Sequence, residues 1–168
     1  MKKLLFFLLF TLISSIIFAE PFEGVFDIKF GQTASDVKNN LEQKDFIENN
    51  LSIYSPNTGN SEIAFTKKQT SFSEVECDFL TILAVFDQND KINEILVFCE
   101  NYSLDNDELY IQIEKSINIL SKKYDFKISS EEDYNTREIF IKEFIDKNST
   151  SLQICKNHNL VLYDFKRN

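Results

Sequence analysis

Residues 76–100, ECDFLTILAVFDQNDKINEILVFCE, hold the strongest strand signal of the chain: two apolar runs flanking a polar stretch at 87–90. β-Branched and aromatic residues dominate both runs, which predicts a β-hairpin. With the turn centred on Asn89, odd positions face odd positions, pairing Phe79 with Cys99, Thr81 with Val97 and Leu83 with Ile95. Cys77, Phe79, Leu83, Val85, Ile95, Val97 and Cys99 then share one uncharged face, the expected core. The reverse face carries Leu80, Ile82, Ala84, Phe86, Ile92, Leu96 and Phe98, with Asp78, Glu94 and Glu100 toward its ends. A sheet with two apolar faces must be covered twice, by helices, by other strands or by a partner.

After Ser103 the period becomes helical. Leu109, Tyr110, Ile113, Ile117, Leu120 and Tyr124 fall within an arc of about 100°, the stripe of a helix packed on a sheet. Ser103 or Asp105 can cap it, and Asp107 and Glu108 at its start and Lys122 and Lys123 at its end suit the helix dipole. Upstream, GVFDIKF at 24–30 reads as a short strand, and GQTASDVKNNLEQKDF at 31–46 as a helix fading near Lys44. Thr33 is its N-cap, Asp36 closes a shortened capping box, and Ala34, Val37 and Leu41 form one stripe. LSIYSP and SEIAFTKK are two modest strands about the PNTG turn. FKIS, TREIFIKEFI, STSLQICK and NLVLYDFK supply the tail strands. If the last turn is a two-residue loop at Asn157 and His158, then Leu152, Ile154, Val161, Tyr163 and Phe165 point inward, and Cys155 outward. The order helix then strands occurs twice, over 31–100 and 103–168, as two coarse pseudo-repeats of one plan.

The amino terminus follows a different rule. Lys2 and Lys3 precede an apolar run at 4–18, and Ala19 stands before the polar Glu20, the pattern of an export signal cleaved after residue 19. The competing reading is a retained anchor, but 15 helical residues reach roughly 22 Å against a hydrocarbon core of about 30 Å. Residues 20–168 are then a single exported domain, periplasmic or extracellular, with no further membrane insertion. The signal holds two of the 18 basic residues and none of the 27 acidic ones, leaving 16 against 27 and a net charge of −11. Such a surface repels phosphate backbones, and nucleic acid is excluded as a partner.

Candidate chemistry is sparse. His158 is the only histidine and falls in a turn among asparagines, where it reads as a solvated residue. Cys77, Cys99 and Cys155 are spaced too widely for a zinc site, and no metal is expected. Three glycines cannot build a phosphate-cradling loop, and no cofactor is expected. DQND reads as hairpin chemistry and DNDE as helix capping rather than calcium ligation, since Lys91 occupies a would-be ligand position. For Cys77 and Cys99 two readings stand side by side: a disulfide between adjacent strands, or two small core residues.

Gly31, Thr33, Asp36, Val37 and Leu41 form a G-x-[ST]-x-x-[DE]-V helix entry. It resembles small exported bacterial modules of the BamE (SmpA/OmlA) and β-lactamase-inhibitor-protein type. The resemblance implies a helix packed on an antiparallel sheet and a non-enzymatic interaction module. No cysteine stands near the cleavage point, and residues 44–46 stand where the family has a glycine, so no role carries over beyond the helix entry. The expected fold is α+β, an antiparallel sheet of seven or eight strands with two helices on one face. The expected function is non-enzymatic binding of a protein or envelope component through Leu80, Ile82, Phe86, Leu96 and Phe98. A small apolar-ligand carrier is the alternative, and a carboxylate-based hydrolase a more remote one.

Overall fold

The computed structural model describes residues 22–49, 61–136 and 139–167, the side chains of 131–136 and 139–140 excepted. The export signal, the LSIYSP strand and the PNTG turn lie outside the described residues. Where GVFDIKF reads as one strand, the chain instead folds back on itself, with β1 (Gly24–Val25) pairing β2 (Ile28–Lys29). Phe26 and Asp27 make the turn with φ of 50° and 66°. Gly24 permits the fold-back, because a Cβ there would sit 1.7 Å from the Ile28 carbonyl oxygen.

Helix α1 (Ala34–Glu42) starts at Thr33 as expected. Thr33 Oγ1 accepts from the Asp36 amide at 3.4 Å, and Asp36 Oδ2 accepts from the Thr33 amide at 3.0 Å. These reciprocal bonds satisfy two backbone donors that the first turn would otherwise leave open. Helix α2 (Asn106–Tyr124) is capped by Asp105, whose Oδ1 accepts from the Glu108 amide at 2.9 Å, and it ends at Asp125 in the left-handed region.

The remaining strands are β3 (Ile47–Asn49), β4 (Glu62–Phe72), β5 (Val75–Phe86), β6 (Ile92–Glu100), β7 (Lys127–Thr136), β8 (Ile139–Ile145), β9 (Thr150–Asn157) and β10 (Leu160–Arg167). They form one eight-stranded sheet in the order β3-β4-β5-β6-β10-β9-β8-β7, every pair antiparallel. Each half is a helix followed by a four-stranded meander, and the halves join through their last strands, β6 and β10. The fold is α+β, with both helices contributing to one core on one face of the sheet. Val37 and Leu41 of α1 and Leu109, Ile113 and Leu120 of α2 cluster there with Leu80, Ile82, Val97, Ile154, Val161, Tyr163 and Phe165.

Aspartates shape two of the turns by the same device. Asp87 Oδ1 accepts from the amides of Asn89 and Lys91, and Asp146 Oδ1 from those of Asn148 and Thr150, at 2.8 to 3.0 Å. The expected hairpin chemistry of DQND is therefore present. The last hairpin turns at His158 and Asn159, two positions later in register than expected, since Leu160 pairs with Asn157. A shift of two keeps every side chain on its face, so Leu152, Ile154, Val161, Tyr163 and Phe165 are all buried inward as expected.

Candidate interaction face

The β5–β6 hairpin departs from expectation by one residue, and the consequence is larger. Beside the turn the expected register holds, with Phe86 opposite Ile92; past it the ladder shifts, and Val85 faces Glu94. A β-bulge at Asn93 takes up the extra residue. Beyond it Leu80 pairs with Cys99, Ile82 with Val97 and Ala84 with Ile95, so even positions of β5 share a face with odd positions of β6.

The candidate set is therefore split between the two faces. Leu80, Ile82 and Phe86 point toward the helices and are fully buried in the main core. Leu96 and Phe98 lie on the opposite face, in a second cluster with Ala64, Leu83, Val85 and Leu162. Leu83 and Val85, expected in the core beside Cys77, belong to this outer cluster as well. A second irregularity explains why Cys77 does not follow them: Gln69 has a φ of 47°, the β4–β5 ladder skips Gln69 and Asp78, and burial parity changes there.

On the opposite face, helix-free among the described residues, the cross-strand pairs line up as rows. One row runs Thr66, Thr81, Phe98, Leu162, Cys155 and Ile141, mostly apolar. The next runs Ala64, Leu83, Leu96, Asp164, Gln153 and Glu143, and a third holds Glu62, Val85, Glu94 and Lys166. Apolar residues thus meet carboxylates across the middle of the sheet. Leu162, Ile141 and Asp164 did not enter the sequence-based set, although alternation along LVLYDFK marks Leu162 and Asp164 as outward once Val161, Tyr163 and Phe165 are taken as inward.

Three side-chain acceptors, on β4, β6 and β10, lie buried toward the 87–91 turn. Oε2 of Glu62, Oδ1 of Asn93 and Oδ1 of Asp164 are buried without a hydrogen bond among the described residues. Burial and the neighbouring Glu94, which is also hydrogen-bonded to it, push the Asp164 carboxyl up to about 7, against a smaller opposing pull from Lys166. Lys166 lies 3.8 Å from Glu94. The Cys155 thiol, half-buried in the apolar row, is pushed up by burial and by Asp164 and Glu143. Glu143 is held below the usual carboxylate range by hydrogen bonds from Ser130 and Gln153.

The folded Asp164 holds its proton across a window in which the unfolded residue, near 3.8, has lost it. The native state then binds more protons, and this group's contribution to stability falls as pH rises from about 4 to 7. Asp164→Asn is expected to flatten that fall and to gain about 1–2 kcal/mol at pH 8, after allowance for partial exposure and sharing with Glu94. Urea midpoints of both proteins at pH 5 and pH 8 check it; equal differences at the two pH values contradict it.

On the helix side, Tyr163 and Ser116 form a buried polar pair, with the hydroxyls 2.9 Å apart. Two lysines also enter this side: Lys142 Nζ lies 2.7 Å from Glu114 Oε1, and Lys156, 1% exposed, donates to Asn106 Oδ1 at 3.1 Å. His158 is exposed, in its turn. An open groove of about 660 Å³ runs along α2, lined by that helix alone, including Tyr110, Ile111, Ile117 and Asn118, so it is a flank rather than an enclosed chamber. Among the described residues no group of three or more His, Cys, Asp and Glu side chains is arranged to hold a metal ion, and no helix is long and apolar enough to cross a membrane. No family model, curated protein or solved structure matches this chain.

Proposed function

We propose that this chain is a non-enzymatic exported binding protein that contacts another protein or an envelope component through the helix-free face of its sheet. The observation that carries the reading is the apolar row Phe98, Leu162, Cys155 and Ile141, bordered by Asp164 and Glu143, with Glu62 and Glu94 one row further on. The cluster around it draws its members from β4, β5, β6 and β10 only. Apolar side chains that are half-buried in the free protein gain most from a partner that completes their burial. The acidic rows narrow the partner: lysine or arginine side chains beside an apolar anchor would complement the carboxylates that flank the row.

The residues of the proposal are Leu96, Phe98, Leu162 and Ile141, with the carboxylates as rim. The test immobilises residues 20–168 and passes envelope extract over the wild type, Phe98→Lys and Leu162→Lys, each first shown to be folded by circular dichroism. A protein or lipid retained by the wild type, lost from both variants and released by moderate salt is the expected result. Retention equal in all three proteins sinks the reading.

A further inference from the structure

We propose that the outer edge of β7 receives an extended, basic segment of a partner protein as a ninth strand of the sheet. Strand β7 ends the sheet on one side and pairs with β8 alone among the described residues. The opposite edge, β3, has only three residues, whereas β7 has ten. An antiparallel strand turns the N–H and C=O of every second residue toward each neighbour, so about half of the residues of β7 direct them outward. A long edge of this kind is a template for another chain.

Ile128 shows where the core runs out. It pairs with Phe144, and the same row continues through Leu152, Phe165, Ile95 and Ala84, all buried on the helix side. Ile128 is 55% exposed, against 4% for Phe144 one strand further in. The row therefore ends on an aliphatic side chain flanked by a strand on one side only. An added strand with an apolar residue at this rung would cover Ile128 as its neighbours are covered.

Charge decides the occupant. The ladder skips Ser129 and then runs regularly from Ser130 to Asp133. Glu131, Glu132 and Asp133 fall in that stretch, opposite Lys142, Ile141 and Phe140, and Ser130 lies opposite Glu143. These four rungs hold the carboxylates of Glu131, Glu132, Asp133 and Glu143 against the one ammonium of Lys142. A second copy of this chain centred here would set acid against acid, and like charges directly opposite weaken a sheet. A strand bearing lysine or arginine is the complement: its main chain supplies the bonds, and its side chains opposite Ile128 and residues 131–133 supply the choice. The inference does not rest on the helix-free face, since it uses an edge of backbone rather than a surface of side chains.

The experiment titrates residues 20–168 against a fluorescein-labelled peptide, TKKKTTVT. Antiparallel to β7, it sets lysines opposite residues 131–133 and valine opposite Ile128. Binding in low salt is expected, with Kd below about 100 μM, weakening as salt is added. Hydrogen exchange should slow in β7. N-methylation of alternate peptide amides should abolish binding in one phase and spare it in the other, because only every second amide faces the edge. The acidic peptide TEEETTVT should not bind the wild type, and a folded Glu132→Lys, Asp133→Lys variant should exchange this preference for its reverse. Phe98→Lys should bind TKKKTTVT as the wild type does, which separates this edge from the helix-free face. No binding of TKKKTTVT overturns the proposal. So do equal effects of the two methylation phases, and a wild type that sediments as a dimer with β7 already protected.

Discussion

Replacing Phe165 by alanine is expected to lower the stability of the protein by about 3–5 kcal/mol, the range for removing a buried aromatic ring. Phe165 is fully buried at the centre of a ring cluster that joins four parts of the chain. Its ring stacks on Phe22 at 4.3 Å with an interplanar angle of 9°, meets Phe72 edge-on at 6.2 Å, and lies 6.5 Å from Phe126. Phe22 in turn packs edge-on against Tyr124 at 5.1 Å. One deletion thus loosens the segment before β1, the end of β4, the end of α2 and β10 together. A domain of this size has a net stability of roughly 5–15 kcal/mol, so the loss is a large share of the total. Urea unfolding followed by tyrosine fluorescence measures it, and a midpoint shift equivalent to under about 1 kcal/mol would contradict the cluster's role.

The second large effect separates the two sheet faces. Ile82→Lys is expected to abolish folding, because it places an ammonium group in an apolar core, with no carboxylate in its cluster among the described residues, where desolvation costs several kcal/mol. Phe98→Lys, on a neighbouring strand of the same hairpin, should cost only about 1–2 kcal/mol and leave the protein folded, since the new charge can reach solvent on the half-buried outer face. Circular dichroism and urea midpoints of the two variants decide it. Equal losses would mean that the one-residue shift at Asn93 does not divide these residues as described.

Much of the architecture was legible because it is local. The Thr33–Asp36 capping box depends on residues three apart, and the α2 stripe on a repeat contained within one element. The aspartate-held turn at 87–91 uses a side chain that bonds to its own loop. Even the two-residue slip in the last hairpin did no harm, because Tyr163 and Phe165 kept their parity.

The candidate face was less legible, for a reason that can be named. A bulge adds one residue to one strand, and Asn93 carries no side-chain signature that distinguishes a bulged asparagine from a paired one. Every residue of β6 beyond it changed its relation to β5, so Leu80 and Ile82 parted from Leu96 and Phe98. The change of parity at Gln69 and Asp78 was equally hidden, and it moved Cys77 back into the core. Charged residues in the core, Lys142 and Lys156, followed alternation but ran against the rule that lysines face water; Glu114 and Asn106 of α2 receive them.

Apolar alternation by itself determined that residues 76–100 form two strands with two greasy sides, that a helix follows, and that β9 and β10 turn Tyr163 and Phe165 the same way. Only the tertiary structure decided which greasy side lies under the helices and which is left to the acidic rows. Alternation is a property of one strand, whereas its phase relative to a neighbour is set by bulges and by where α1 and α2 dock. Those depend on contacts far apart in the chain.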